Sequence, residues 1–346
     1  MTVVTGSTVK ELACTMDVGV IGIGGFATKL IERIKEHPNL RIRFGYHPNR
    51  EKAAHWDPEL GTSSLADLLN AKSLEAIFVL TPTHLHFEYC AQVIGARKHV
   101  FVEKPLTHTL EDTRKLLGLL KDTPLKLMVG HNLRRQPWSR EIKRIIRSGQ
   151  LGHIVNVTIN KSHGAIFDLP DTSWRKNILF HPEGPLATVG IHYFDLLHDW
   201  FGSIEFVDTI LSCAANRSTA PDANAVMMGL SGGTTVFLQT NYCLCSEDYV
   251  HIYGTEGTLY YERNCLSLRL GRDTDRVPTQ SRGIPLKTDQ SLAEEIDEFY
   301  QSITAKRRIV TGPLEGLNNM IVLDACQISH QQKRRVFLKE YVDYFK

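Results

Sequence analysis

The chain has 346 residues, and its 40 lysines and arginines against 38 aspartates and glutamates give a formal net charge of +2. That length exceeds what one hydrophobic core normally organises, so we expect two domains. A near-neutral chain without a concentrated basic run or about 18 consecutive apolar residues is not expected to bind nucleic acid or to span a membrane. Its seven scattered cysteines, with no secretory signal at the start, predict a reducing, cytoplasmic setting.

The first part of the chain alternates short strands with helices, after residues 1–16, which we interpret as a leader. Strands are predicted at Asp17–Ile21, Leu40–Tyr46, Glu75–Leu80, Lys98–Val102 and Lys126–Gly130. Helices are predicted from the glycine cluster after the first strand to His37, and over Leu65–Asn70, His84–Ala96 and Thr109–Lys121. Such alternation implies right-handed crossovers and a parallel sheet. We therefore predict an N-terminal Rossmann domain over residues 17–132.

From about Pro137 the rhythm changes to long strands with few helices between them. Helices are predicted over Trp138–Ser148, Leu186–Phe201, Leu292–Ala305 and Leu314–Gln332. Alternating segments are predicted at His153–Ser162, Ile204–Ala214, Asn224–Leu230, Thr234–Tyr242, Val250–Tyr253, Thr258–Tyr261 and Leu266–Leu270. Successive strands without helices favour a large, mostly antiparallel sheet. We predict a C-terminal α/β domain over residues 133–346 that binds substrate and forms the oligomer.

A glycine-rich motif follows the first strand. It reads Gly22-Ile23-Gly24-Gly25-Phe26-Ala27, which is the G-x-G-x-x-A pattern. The first glycine permits a tight turn, the second lets the backbone approach a pyrophosphate, and the alanine lets helix and strand pack closely. The helix N-terminus then offers free N–H groups to phosphates. These residues are predicted to bind a dinucleotide.

The end of the second strand bears on the choice of cofactor. An acid there would hold the 2′-hydroxyl of NAD, but the chain continues His47-Pro48-Asn49-Arg50 before the first carboxylate, Glu51. Arg50 and His47 could neutralise a 2′-phosphate. We therefore predict NADP as the preferred cofactor. The alternative is that Arg50 points to solvent and the enzyme uses NAD, or both.

Two further motifs come directly after predicted strands. They are Thr81-Pro82-Thr83-His84-Leu85-His86 and Glu103-Lys104-Pro105. Open α/β sheets bind ligands at the carboxyl ends of their strands. We expect cofactor contacts from Thr81, Pro82, Thr83, His86, Glu103 and Lys104.

These motifs resemble those of the glucose–fructose oxidoreductase / inositol dehydrogenase / MocA family. The similarity runs from the Gly22 motif to the end of the chain and is most specific over residues 78–105. The resemblance implies that Lys104 reaches the nicotinamide and the substrate. It also implies that the Lys104–Pro105 bond is cis.

One position departs from the family. The family often carries Asp-x-Gly-x-His at its pocket helix, with both end residues in catalysis, whereas this chain reads Thr188-Val189-Gly190-Ile191-His192. The resemblance implies that His192 is the general acid/base, because its side chain titrates near neutrality. Asp195, one turn further on, is a candidate substitute for the missing carboxylate.

The combined interpretation is an NAD(P)-dependent dehydrogenase or reductase. Hydride would move between nicotinamide and a carbinol or ketone carbon of a sugar, cyclitol, sugar nucleotide or related molecule. The candidate substrate contacts are Asn132, Arg134, Asp168, Trp174, Arg175 and Thr188. No metal site is expected, because His163, His181 and His198 lack a carboxylate–histidine spacing.

Two other functions stay open: an NAD-dependent glycosidase of the same fold, and a weakly catalytic NAD(P)-binding sensor. We also predict a homodimer or a dimer of dimers. The basis is an open face of the C-terminal sheet, predicted to carry Val236, Phe237, Leu238 and Tyr242.

Overall fold

The N-terminal half forms a six-stranded parallel sheet. The computed structural model describes residues 15–25, 27–271 and 281–345. The strands are β1 (Met16–Ile21), β2 (Leu40–Tyr46), β3 (Gly61–Thr62), β4 (Ala76–Val79), β5 (His99–Glu103) and β6 (Leu127–Gly130). Their order is β3-β2-β1-β4-β5-β6, and every adjacent pair is parallel. This is the Rossmann order, with its switch point between β1 and β4, and it confirms the predicted fold.

Helices connect these strands. They are α1 (Ala27–Glu36), α2 (Arg50–Trp56), α3 (Leu65–Asn70), α4 (His86–Gly95) and α5 (Leu110–Leu120). The sequence did not predict α2, which begins where the Asn49 side chain accepts a hydrogen bond from the Lys52 N–H. Strand β1 begins at Met16, inside the segment interpreted as a leader. The rest of that segment up to residue 14, and Phe26 of the glycine motif, lie outside the described residues.

The second half is built on a nine-stranded sheet. Its strands are β7 (Ile154–Ser162), β8 (Ile204–Ser212), β9 (Ala223–Leu230), β10 (Thr235–Asn241), β11 (Glu247–Gly254), β12 (Gly257–Glu262), β13 (Cys265–Leu270), β14 (Arg282–Ile284) and β15 (Val336–Phe337). Their order is β14-β13-β12-β11-β7-β10-β9-β8-β15. Only the β7–β10 pair of this described sheet is parallel, so the mostly antiparallel prediction is confirmed.

The described helices of the second half of the chain are α6 (Pro137–Arg147), α7 (Ala165–Asp168), α8 (Ile191–Phe201), α9 (Ser291–Thr304) and α10 (Pro313–Gln332). Helix α10 packs on β8 and covers one face of the sheet, with α8 against it. Among the described residues, no helix has the length and apolar character needed to cross a bilayer.

The opposite face of the sheet is open, but its composition differs from the prediction. Val236, Leu238 and Tyr242 are buried, whereas Phe237 is 44% exposed. The prediction placed all four side chains on one face. Alternate residues of a strand point to opposite faces, so Phe237 faces away from its neighbours Val236 and Leu238. Phe237 of β10 is paired with Thr158 of β7, and Thr158 is paired on its other side with His251 of β11. His251 lies among three tyrosines of the same face, Tyr249, Tyr253 and Tyr260.

Helix α9 packs into the core of the N-terminal half, although it comes late in the chain. The Phe299 ring lies 5.4 Å from that of Phe78 and 5.7 Å from that of Phe101. Ile296 is fully buried in the same cluster. The predicted boundary at residue 132 therefore assigns α9 to the second domain, although it completes the core of the first. Sequence order does not reveal this long-range packing.

Candidate functional site

The glycine motif forms a tight loop at the end of β1. Gly22 has φ +92°, and a Cβ there would lie 2.8 Å from the Leu80 carbonyl oxygen, so a side chain would be both strained and blocked. A Cβ at Gly24 or Gly25 would meet nothing within 4 Å. The space above the loop is therefore open at the N-terminus of α1, where backbone N–H groups suit a pyrophosphate. The loop fits a dinucleotide.

The end of β2 presents basic groups beside this loop. The His47 Nδ1 accepts a 2.9 Å hydrogen bond from the Asn49 N–H, so a neutral ring keeps Nε2–H as a donor. Arg50 is exposed at the first turn of α2, and no ion pair holds it within the described part of the chain. A guanidinium without an internal partner at this position is available to a ligand.

His86 has a different role from the predicted one. Its side chain is 1% exposed; the Nδ1 lies 2.7 Å from the Pro105 carbonyl oxygen and the Nε2 lies 2.8 Å from that of Thr81. Both ring nitrogens are thus occupied by backbone, which corrects its assignment as a cofactor contact. His86 instead joins the loops that follow β4 and β5.

Polar atoms without partners line the loop after β4. The Thr81 Oγ1 and the His84 Nδ1 are buried and have no hydrogen-bond partner among the described residues. Buried polar atoms are normally satisfied. Pro82 and Thr83 lie in the same turn, at the C-terminal edge of the sheet. The loop is therefore suited to receive a polar ligand.

Lys104 extends from the end of β5 into the space between the two halves. The Lys104–Pro105 bond is cis, as the resemblance implies. The Lys104 Nζ donates a 2.6 Å hydrogen bond to the Thr188 carbonyl oxygen. Burial lowers the pKa of Lys104, an effect that Glu103 opposes. Burial also raises the pKa of Glu103 to about 6, and its Oε2 accepts a hydrogen bond from the Lys104 N–H.

Thr188 lies in a π-helical turn, Leu186–Gly190, that leads directly into α8. Such turns are rare and often occur at functional sites. The Thr188 hydroxyl is hydrogen-bonded to the Tyr242 hydroxyl. Burial raises the pKa of Tyr242, whereas the hydrogen bond to Thr188 and the charge of the nearby Arg175 act to lower it. The position at which the family often has aspartate therefore carries an uncharged hydroxyl, which is hydrogen-bonded to Tyr242.

His192 lies in the first turn of α8. Its ring stands perpendicular to that of His131, with the ring centroids 6.0 Å apart. The His192 Nδ1 is buried and finds no hydrogen-bond partner in the part of the chain that the structure describes. Burial and then the charge of Lys104 hold the pKa of His192 well below its ordinary value. The imidazole is therefore neutral and has a free nitrogen.

Arg134 and Asp195 are bound to each other, which corrects two predictions. The Arg134 Nε and Nη2 donate to the two Asp195 carboxylate oxygens at 2.6 and 2.7 Å. Asn319 also donates to Asp195 at 3.0 Å, and its Nδ2 lies 3.1 Å from the His131 Nε2. Arg134 is therefore not free for substrate. Asp195 does not replace the missing carboxylate beside His192, because its oxygens are already engaged.

The remaining candidate substrate contacts lie in three different places. Trp174 and Arg175 lie against the cluster, since the Arg175 guanidinium stacks 4.5 Å from the Trp174 ring and its charge acts on Tyr242. Asp168 is exposed at the end of α7. Asn132 donates a long, 3.5 Å hydrogen bond to the Ser291 hydroxyl.

The structure adds site residues that the sequence did not identify. His181 is 2% exposed; its ring packs 5.3 Å from Trp174 and 6.2 Å from Tyr242. His131 lies against His192. No local pattern marks these residues, because their neighbours come from distant segments. Within the described ranges, no group of three or more His, Cys, Asp or Glu side chains could hold a metal ion.

Comparisons with known proteins cover nearly the whole chain. Residues 16–131 match the model of the GFO_IDH_MocA oxidoreductase family, NAD-binding Rossmann fold, and residues 143–338 match the C-terminal alpha/beta domain of the same family. The 2,7-anhydro-N-acetylneuraminate hydratase of Escherichia coli (strain K12) is 26% identical over 268 residues, which cover 75% of this chain and 71% of that protein.

Two further relatives are similar at lower identity. The inositol 2-dehydrogenase of Rhizobium meliloti (strain 1021) is 24% identical over 276 residues, 77% of this chain and 81% of that protein. A levoglucosan dehydrogenase solved with NADH and L-sorbose is 20% identical, with a TM-score of 0.83 over 94% of this chain and 99% of that one. This structural likeness shows the shared fold.

Proposed function

Because this chain belongs to the GFO_IDH_MocA family of NAD-binding oxidoreductases, we propose that it transfers hydride between a nicotinamide dinucleotide and a carbinol or ketone carbon. The substrate class is a sugar, a cyclitol, a sugar nucleotide or a related polyhydroxylated molecule. The observation that carries the proposal is the hydrogen bond from Lys104 to the Thr188 carbonyl oxygen beside a neutral His192. The open glycine loop lies at the same carboxyl edge of the parallel sheet as Lys104.

The protein's own groups supply positioning and proton management. Thr188 holds the Lys104 ammonium through its carbonyl oxygen, so Lys104 can donate a second hydrogen bond to the reacting oxygen. That bond stabilises charge on the oxygen as the carbinol is oxidised. A neutral His192 can accept the hydroxyl proton at a free ring nitrogen. A bound nicotinamide supplies the hydride acceptor or donor.

Cofactor turnover with a panel of sugars and cyclitols tests the function. Net reduction of NADP or NAD that depends on one substrate supports the proposal. Product formation without net change of the cofactor would favour the glycosidase alternative, and the relative named a hydratase makes this measurement necessary. Cofactor binding without any turnover across the panel would favour the sensor.

We expect NADPH to bind more tightly than NADH. Arg50 is exposed beside His47, and no acid precedes Glu51 at the end of β2. Since a hydrogen bond to a charged group contributes about 1.5–3 kcal/mol, Arg50→Ala should weaken NADPH by roughly tenfold or more and NADH much less. Fluorescence titration measures both affinities. Arg147→Ala, on the exposed end of α6, is the control; equal affinities in the unmodified protein would contradict the prediction.

We expect a homodimer or a dimer of dimers formed through the open sheet face. Phe237 of β10 and Tyr253 of β11 are exposed aromatic side chains on this face of the sheet. Phe237→Asp should therefore halve the mass measured by light scattering at micromolar concentration. Leu119→Asp is a matched control, because Leu119 is 45% exposed on α5 in the other domain. A monomeric unmodified protein would refute the prediction.

A further inference from the structure

Arg175 is a half-buried cation without a carboxylate partner. It stacks 4.5 Å from the Trp174 ring, and no ion pair to it forms within the described residues. Two other arginines of this chain show the usual arrangement. Arg134 is paired with Asp195, and Arg135 with Glu295 at 3.1 Å and with a second glutamate. A partly desolvated guanidinium normally has a carboxylate partner. Arg175 has no such partner within the described residues.

A second cation, Lys104, lies near Arg175, whose charge lowers the pKa of Lys104 after the larger effect of burial. Arg175 also lies close enough to Tyr242 for its charge to act on that side chain. Tyr242 is hydrogen-bonded to the Thr188 hydroxyl, and the Thr188 carbonyl oxygen accepts from Lys104. The charges of Arg175 and Lys104 both act on the nearby His181, where they disfavour a third positive charge. Thr188 adds no negative charge at the position where the family often has aspartate. Glu103 offsets part of the Lys104 charge, whereas no ion pair to Arg175 forms within the described residues, so the wall beside Arg175 is electropositive.

An independent sign of a ligand comes from His181. The His181 Nε2 is buried, the residue is 2% exposed, and this atom has no hydrogen-bond partner among the described residues. Its ring packs against Trp174 and Tyr242, and Trp174 is the side chain on which Arg175 stacks. A buried polar atom left unpaired costs stability, so an incoming polar group would satisfy it.

We propose that the substrate carries an anionic group, a carboxylate or a phosphate, which Arg175 binds on the surface formed by Trp174, Tyr242 and His181. This rests on the proposed function, because it assigns a charge to the substrate of the same site. Guanidinium groups bind both anions in a bidentate manner. Trp174 holds the guanidinium plane, which fixes the direction of its free donors.

The test compares neutral and anionic versions of the same sugars. The protein is saturated with NADPH so that no oxidation occurs, and calorimetry measures binding of D-glucose, D-glucuronate and D-glucose 6-phosphate, with the corresponding galactose series. The variants are Arg175→Gln, Arg175→Lys and, as a control far from the site, Arg147→Gln. Oxidation of each sugar with NADP is measured in parallel.

We expect an anionic sugar to bind at least about tenfold more tightly than its neutral counterpart. Arg175→Gln should abolish that preference, Arg175→Lys should retain part of it, and Arg147→Gln should leave it unchanged. A preference confined to uronates identifies a carboxylate, and one confined to the 6-phosphates identifies a phosphate.

Equal binding of neutral and anionic sugars, absence of binding by every anion, or a preference that survives Arg175→Gln would overturn the proposal. These outcomes are separable from failure of the proposed function. Turnover of neutral sugars without an anion preference leaves hydride transfer standing and removes the anionic subsite. Binding of an anionic sugar that depends on Arg175, with no oxidation of any sugar, supports the subsite and contradicts hydride transfer.

Discussion

Lys104→Met is expected to lower kcat by roughly 10²–10³-fold, the usual cost of removing one donor that stabilises charge on a reacting oxygen. The Lys104 Nζ is held at 2.6 Å by the Thr188 carbonyl, so the ammonium is positioned before substrate binds. Methionine has a similar length and keeps the packing of the stem, but it offers no N–H. Cofactor affinity should change much less than kcat, because Lys104 is assigned to the reacting oxygen.

Stopped-flow measurement of cofactor reduction and fluorescence titration of cofactor binding separate these two effects. Lys115→Met is a suitable control, because Lys115 lies half exposed on α5 and forms ion pairs with Glu111 and Asp112 of that helix. A loss of cofactor affinity as large as the loss of kcat would place Lys104 in cofactor binding alone.

His192→Ala is expected to lower kcat by roughly 10²–10⁴-fold, the range found when a group that transfers a proton is removed. The pKa of His192 is held well below its ordinary value by burial and by Lys104. The ring is therefore neutral at a pH where an exposed histidine would be protonated. In the oxidation direction the rate should stay constant as pH falls through about 6.5, and it should decline only at lower pH, where His192 binds a proton.

Thr188→Asp tests the direction in which a carboxylate at this position shifts the pKa of His192. A carboxylate beside the imidazole favours the imidazolium and raises the pKa of His192. The acid limb of the pH–rate profile for oxidation should then move to higher pH. If Thr188 instead contacts the substrate, the same change should alter KM or kcat without moving that limb. Full activity of His192→Ala would exclude the proton-transfer role, and Tyr242, bonded to Thr188, would become the next candidate.

The strand–helix alternation before residue 130 could be predicted because each element carries its own periodic pattern. The glycine motif could also be predicted from local sequence, because the backbone geometry at Gly22 requires a glycine. Helix α2 was missed because the signal is one capping side chain, Asn49, before a short and mostly polar helix. Local sequence thus determines the Rossmann scaffold and the loops that carry Thr81 and Lys104.

The substrate side of the site was less predictable. Arg134 was expected to contact substrate, but its partner Asp195 is 61 positions away in the chain, and the pair is decided by packing. His86 matched a ligand-binding motif, yet its ring serves two backbone carbonyls. Tyr242 was assigned to the open sheet face, whereas the pleat turns it towards Thr188. Such pairings depend on the assembled fold.

The late position of α9 has a consequence for how this protein is made. Its Phe299 packs edge-on against both Phe78 and Phe101, and its Asp297 contacts His37 across 260 positions of sequence. During synthesis the N-terminal sheet therefore emerges with that apolar surface uncovered, and it stays so until α9 leaves the ribosome. Contacts of such long sequence separation form slowly, and exposed apolar surface favours aggregation. Truncation before residue 291 would therefore remove part of the first domain's core.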